Sequence, residues 1–425
     1  MKSAQRGIIT EEIKIVADTE NLSVESLKQR VANGRVIIPK NVRREGVKLV
    51  AIGEGLSTKV NVNVGTSTVF ADLDMEIEKA KVALNYGTDT LMDLSTGGDL
   101  DLIRRSLIKI CHVPFGTVPI YQAYIEATRK FGSFIHMNED LIFNSIERHL
   151  EDGVDFITVH TGVTKNLAEK LKKVGRTAGI VSRGGSILVA WMLHNGLENP
   201  LYAHYDYLLE LASRYDITLS LGDALRPGSI VDAHDEFQIE ELMNNARLAK
   251  LARERCVQVM IEGPGHMPID KIAEDVRMEK TLSDGTPYYV LGPLVTDIAV
   301  GYDHIAAAIG AAIASMSGAD LICYLTPSEH ISLPNVEQVK EGLIAAKIAA
   351  HAGDLIKLRE RTLKKDLEMS LARARLDWEA MKSLSYDPVH FDKIRTQLKR
   401  VEGSCTMCGD MCVYLLLQRY FRPKS

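Results

Sequence analysis

Short apolar runs of strand length recur between about residue 48 and about residue 355. They are "KVNVNV" at 59, "TLMDL" at 90, "GTVPI" at 116, "FITVH" at 156, "GIVS" at 179, "ITLSL" at 217, "VQVMI" at 257, "YYVLG" at 288 and "LICYL" at 321. Between most of them lie stretches whose apolar positions follow helical spacing, such as "MEIEKAKVALNYG" and "IEELMNNARLAKLARE". Strand and helix alternating every roughly 25 to 40 residues predicts a parallel sheet, and eight such units close a (β/α)8 barrel of the TIM type. Nine runs are one too many, so one of them, "GIVS" or "YYVLG", is expected outside the barrel. A doubly wound open sheet is the competing α/β architecture. It lacks support, because no G-x-G-x-x-G follows the first strand.

The pattern differs at both ends. Residues 1–47 hold two short helical patterns and an extended "RVIIPKN", which predicts a small N-terminal domain ahead of a catalytic barrel spanning 48–355. Residues 356–425 predict a helical extension, with one long stretch in which Leu363, Leu367, Leu371 and Trp378 can share a face. The extension ends in "CTMCGDMC", which places Cys405, Cys408 and Cys412 on a loop outside the barrel.

Composition narrows the function. A formal net charge of −5 over 425 residues gives no basic footprint for nucleic acid or an anionic membrane, which favours a small-molecule partner. The N-terminal "MKSAQRGIITEEIK" lacks a secretory apolar region, and the run "IAAAIGAAIASM" is too short to span a bilayer, so a cytoplasmic protein is expected. In a reducing compartment a tight cysteine cluster points to metal ligation or redox work rather than a disulfide. Cys111, Cys256 and Cys323 stand singly beside apolar runs and read as packed core thiols.

Barrel enzymes carry their chemistry where strands end. Those positions here are Asn61 and Asn63, Asp93 and Ser95, Tyr121, His160, Ser182 and Arg183, Asp223 and Arg226, Glu262 and His266, and Glu329 and His330. Each alone admits a plainer role, a helix cap for Asp223 or a satisfied core imidazole for His160. Together they predict a polar, lined site. In "SRGGS" an arginine stands beside two glycines that let backbone N–H groups approach an anion, and Arg226 adds a second cation, which suits a phosphorylated substrate. His266 and His330, each just past a strand, fit an open metal site completed by water or substrate.

For the cysteines, spacing leaves two readings open. Three thiolates with His390 as a fourth ligand make a structural zinc site. Alternatively, three thiolates on a four-iron cluster leave one iron bare for a small molecule, the arrangement of radical S-adenosylmethionine chemistry.

The motifs "MDLSTGG", "GTVPIYQA", "IVSRGGS", "LSLGDALRPGS", "QVMIEGPGHMP", "LGPLVTDIA", "GYDH" and "LPNVEQVKEGL", in this order, resemble those of the phosphomethylpyrimidine synthases of thiamin biosynthesis over nearly the whole chain. The resemblance implies a radical lyase that rearranges 5-aminoimidazole ribonucleotide to 4-amino-5-hydroxymethyl-2-methylpyrimidine phosphate. It implies a [4Fe-4S] cluster on Cys405, Cys408 and Cys412, S-adenosylmethionine, and one divalent metal, zinc or iron, on His266 and His330. By motif, Asn63, Met92, Tyr121, His160, Ser182, Arg183, Gly184, Asp223, Ala224, Leu225, Arg226, Glu262 and Tyr289 match substrate-binding positions. Glu262 and Asp223 are the candidate acid and base. A homodimer and an electron donor of flavodoxin or ferredoxin type are also implied.

Three positions depart from the family pattern. Three residues, not four, separate Cys408 from Cys412; Ala224 replaces a glycine; Val300 replaces a proline. They leave room for the related 5-hydroxybenzimidazole synthases, which act on the same substrate. A metabolite-binding barrel with a zinc knuckle is the non-enzymatic alternative.

Overall fold

The computed structural model describes residues 1–398, 403–417 and 420. The chain divides into two compact units, Met1–Lys357 and Leu358–Ser425.

In the first unit eight parallel strands close a barrel: β1 (Lys59–Val64), β2 (Thr90–Asp93), β3 (Phe115–Thr117), β4 (Phe156–Val159), β5 (Thr218–Leu221), β6 (Gln258–Gly263), β7 (Tyr288–Leu291) and β8 (Leu321–Cys323). Ring closure pairs β8 with β1 in the register Leu321↔Lys59 to Cys323↔Asn61. Helices cover the outside, so strands are buried on both faces and read as near-continuous apolar runs. The side-chain period of two still sorts them. In β1, Asn61 and Asn63 share a face, where Asn61 bonds Asn63, the Tyr289 hydroxyl of β7 and Thr90 of β2.

Of the nine predicted runs, "YYVLG" supplies β7 and "GIVS" supplies no strand. The reason is local. Gly179 adopts φ +65° and Ser182 already caps the helix Arg183–Asn195, so the run has no room to extend. That helix is one of three long ones inserted between β4 and β5, with Lys165–Val174 and Tyr205–Tyr215.

The N-terminal helices Glu11–Thr19 and Val24–Ala32 and the ribbon Val36–Ile37/Ile52–Gly53 enclose an apolar cluster of their own that includes Leu27, Val31, Val36 and Leu56. The barrel floor is fixed by acids that stand just ahead of strands. Asp155 accepts from the Arg44 guanidinium at 2.6 Å and from the backbone N–H of Asn41 and Phe115 at 2.8 Å. Asp320 takes Lys280 at 2.6 Å and the N–H of Tyr288 at 2.9 Å.

The second unit is helical: Glu360–Arg375, Trp378–Leu384, Pro388–Thr396 and, past the cysteines, Val413–Leu417. The single long stretch expected here is broken at Leu376, which adopts φ +54° as the first helix ends. Leu363 and Leu367 are 54% and 56% exposed rather than packed on a shared face. Ala372 and Met381 are buried instead, and the Arg395 guanidinium stacks 3.6 Å over the Trp378 ring. No helix among the described residues is long and apolar enough to cross a membrane.

Candidate active site

The ends of the strands surround a cavity of about 90 Å³. Asn63, Met92, Tyr121, His160, Asp223, Arg226, Glu262 and Tyr289 all line it. Its polar groups are only partly satisfied. Arg226 Nη1 donates to Asp223 Oδ1 at 3.0 Å, leaving Asp223 Oδ2 buried without a partner. His160 Nε2 lies 3.1 Å from Ser182 Oγ, and its Nδ1 is likewise buried and unpaired. Buried polar atoms without partners are expensive, so such atoms around a cavity mark where a ligand supplies the missing bonds.

Burial sets the charge states. It pushes the Asp223 carboxyl up to about 7 against the pull of Arg226, and it raises Glu262, whose Oε1 accepts from Thr158 and Ser220 at 2.7 Å. Burial, then Arg226, lowers His160 to about 3, which keeps its imidazole neutral. A neutral imidazole beside a carboxyl poised near neutrality can hold or pass a proton.

The remaining expected residues stand around the cavity rather than in its wall. Ser182 caps the helix Arg183–Asn195, and the Arg183 guanidinium lies 5.1 Å over the Tyr121 ring. The two glycines have a packing role that sequence reading missed. A Cβ at Gly184 would fall 2.2 Å from the His160 ring, and one at Gly185 would fall 2.5 Å from the Ala224 carbonyl oxygen. They let the helix start sit against the strand ends. Ala224 and Leu225 are fully buried and contribute backbone. Ala224 lies outside the left-handed region, so its methyl group is tolerated where the family has glycine.

His266 and His330 come together with ring centroids 5.2 Å apart. The Nδ1 of His266 meets Asp297 Oδ1 at 2.8 Å and that of His330 meets Asp303 Oδ1 at 3.2 Å. Each carboxylate fixes the tautomer whose Nε2 carries a lone pair, the form in which an imidazole can bind a metal. His330 holds φ +64°, a costly conformation for a non-glycine residue. It lines a second cavity with Arg183 and Glu329. The two carboxylates went unread because neither follows an apolar run.

Cys323 is a core thiol as expected and has a second role. It is buried, but it lines the first cavity, where Asn63 Nδ2 points at its sulfur from 3.0 Å, so it belongs to the site wall as well as the core. Cys256 is only half-buried, while Cys111 is a core thiol as expected. Asp93 turns away from the cavity and accepts the N–H of Ser95 at 2.9 Å.

In the second unit, the N–H groups of Cys408 and Met407 hold the Cys405 thiol below its ordinary range, and Cys405 in turn raises Cys408. The turn is compact: the N–H of Gly409 meets the Cys405 carbonyl at 2.9 Å and that of Met411 meets the Cys408 carbonyl at 3.0 Å. Among the described residues, no three His, Cys, Asp or Glu side chains converge as a metal site, and His390 lies on the helix Pro388–Thr396. The donor set itself, three thiols in eight residues with one lowered toward thiolate, fits an iron–sulfur cluster.

A parallel (β/α)8 barrel whose mouth gathers unpaired polar groups, followed by a triple-cysteine loop, defines a metabolic barrel enzyme. The description "Radical SAM ThiC family" matches residues 1–419. The chain is 54% identical over 427 residues to a phosphomethylpyrimidine synthase of Ignicoccus hospitalis, covering 100% of this chain and 97% of that one. It is 52% identical over 425 residues to the enzyme of that name from Pyrococcus furiosus, covering 100% and 99%. For the one from Sulfurisphaera tokodaii the figures are 53% over 423 residues, 99% and 98%. The chain belongs to the Radical SAM ThiC family. It is therefore an enzyme that uses an iron–sulfur cluster and S-adenosylmethionine, with a small-molecule substrate and a source of electrons.

Proposed function

We propose that this chain is a phosphomethylpyrimidine synthase, a radical lyase that rearranges 5-aminoimidazole ribonucleotide to 4-amino-5-hydroxymethyl-2-methylpyrimidine phosphate for thiamin biosynthesis. The observation that carries the reading is identity above 50% along the entire chain with synthases of that name. The cavity supports it. A ribonucleotide needs cations for its phosphate and paired donors and acceptors for its base. Arg226, Arg183 and the N-terminus of the helix Arg183–Asn195 stand for the first, and His160, Asp223, Glu262 and Asn63 for the second.

Cys405, Cys408 and Cys412 would hold a [4Fe-4S] cluster, and His266 and His330 a divalent ion. When bound, cluster and S-adenosylmethionine supply a carbon radical that takes hydrogen from the substrate. The chain's own work is positioning and proton handling. His160 Nδ1, neutral and unpaired, accepts a hydrogen bond from the base or donates one to it. Asp223 holds a proton near neutral pH, and Glu262, fixed by two hydroxyls, orients the imidazole.

The finer reading adds a cytoplasmic homodimer served by a flavodoxin- or ferredoxin-type donor, divided at 1–47, 48–355 and 356–425. Exposed Ile305, Ile309 and Met316 on the helix Asp303–Ser317, with Ile348 and Ile356 on Val336–Lys357, offer an apolar face for a second copy.

Oxygen-free reconstituted protein, given 5-aminoimidazole ribonucleotide, S-adenosylmethionine and a reductant, is expected to yield the pyrimidine phosphate by mass. A 5-hydroxybenzimidazole product would overturn the reading. Cys408→Ala is expected to abolish 5′-deoxyadenosine formation while the thermal melt of the barrel stays in place.

A further inference from the structure

Amphipathic helices on a barrel normally turn an apolar face inward. The helix Glu236–Glu254 departs from this over its first half. Its N-cap Asp235 and its residues Gln238, Glu241 and Asn245 follow one another at helical spacing, and the last three are 7%, 2% and 1% exposed. Four polar groups on one inner face, three of them buried, are costly unless each has a partner.

Gln238 bonds Asp275 and the N–H of His234, but the partners of the other three lead to the loop that follows β5. Asn245 Nδ2 donates to the Gly222 carbonyl at 3.1 Å. Glu241 accepts the N–H of Ala224 at 2.9 Å with one oxygen and that of Leu225 at 2.7 Å with the other. Asp235 receives Arg176 Nε at 2.6 Å and Nη2 at 3.1 Å. That guanidinium, 1% exposed, spends Nη1 on the carbonyls of Leu225 and Arg226 at 2.8 and 3.1 Å. The loop is thus held by its N–H groups from one side and by its carbonyls from the other. Its two cavity-facing side chains, Asp223 and Arg226, lie between these anchor points.

We infer that Glu241 and Arg176 are positioning residues: a buried acid and a buried base that clamp the backbone of residues 224–226 and so fix Asp223 and Arg226 for the ligand. Neither lines the first cavity, although Glu241 lines a smaller one that shares Asp223, Arg226 and Glu262 with it. Burying a guanidinium and a carboxyl that burial raises well above its ordinary range, to hold a five-residue loop, gains little net stability. What it gains is preorganisation, a ligand spared the cost of ordering the loop. Glutamine at 241 would keep the shape but turn an amide N–H₂ toward one of the two backbone N–H groups. Lysine at 176 would reach one carbonyl and lose the fork to Asp235.

The inference rests on the substrate reading above for its choice of ligand. Calorimetric titration of the full-length protein with 5-aminoimidazole ribonucleotide compares wild type, Glu241→Gln, Arg176→Lys and, as a control, Glu240→Gln, which lies one residue along the same helix and pairs with Lys170. Thermal melts and amide exchange accompany each. The expected result is affinity at least tenfold weaker in the first two variants, with faster exchange at the amides of Ala224 and Leu225, little change in melting temperature, and a control that matches wild type. Unchanged affinity in either folded variant overturns the clamp. So does a loss that merely follows melting temperature across the set. If one variant does not fold, the other carries the test. Wild type that binds no ribonucleotide defeats the substrate reading instead.

Discussion

The two ends of the barrel treat buried charge in opposite ways. At the floor three buried acids are spent on structure, Asp155 on Arg44 and two backbone N–H groups, Asp320 on Lys280 and Tyr288 N, and Asp354 on Thr58 and Lys357, while Glu279 beside Lys280 is the exception, its oxygens buried without a hydrogen-bond partner. At the mouth, Asp223 Oδ2, His160 Nδ1 and Thr326 Oγ1 are buried with no partner. Both ends share the same strands and the same low dielectric. The floor ties residues 41–44 and the helix Val336–Lys357 to the sheet; the mouth carries unmet polar cost that a ligand would remove.

Breaking the floor should cost most. Asp155→Ala strands Arg44, a side chain 7% exposed, and is expected to lower unfolding free energy by about 3 to 5 kcal/mol, read by chemical denaturation. A change under about 1 kcal/mol would remove the distinction between the ends. At the mouth, Arg226→Gln should leave the melt nearly in place, because Asp223 can take up a proton when its partner goes. Turnover, measured as kcat/KM, should instead fall about a hundredfold, the scale of losing one preorganised charged donor.

The third effect is on pH. His160 titrates near 3 when folded and at its ordinary 6.5 when unfolded. Between those values the unfolded chain binds a proton that the folded chain does not, so stability is fully present above 6.5 and is lost as pH falls toward 3. The slope reaches about 1.4 kcal/mol per pH unit for one such group. His149, buried and lowered in the same direction, adds to it, so His160→Asn should flatten the acid limb of a pH-dependent denaturation series without abolishing it. Smallest of all, Ala224→Gly should cost about 0.5 to 1 kcal/mol through backbone entropy alone and leave the product unchanged. A switch of product would instead make that position a determinant of reaction outcome.

The mouth was the more legible end. Parallel strands announce themselves as apolar runs, and the residue after each run is where barrel chemistry sits, so Asn63, Tyr121, His160, Asp223, Arg226, Glu262, His266 and His330 could be picked in order. What escaped reading reaches the site through space. Asp297 lies beyond β7 in a loop whose tract has no period, Asp303 opens the next helix, and Arg176 sits just past the helix Lys165–Val174. Glu241 and Asn245 did leave a trace, polar residues at helical spacing where an inner face should be apolar. Cys323 packs in the core as expected, and its place in the cavity wall went unread because a thiol ending a buried strand looks the same either way. "GIVS", one of the two runs expected outside the barrel, reads like a strand because β-branched residues precede a helix cap, and the break at Leu376 had no glycine or proline to mark it.

The central claim is that the mouth's unpaired atoms are kept open for a ribonucleotide. A crystal structure of this protein with 5-aminoimidazole ribonucleotide tests it most directly. The account predicts the ligand in the β-strand mouth, with His160 Nδ1 and Asp223 Oδ2 both within hydrogen-bond distance of it and Arg226 still on Asp223. A ligand seated elsewhere, or bound in the mouth with both atoms still unpaired, would contradict it.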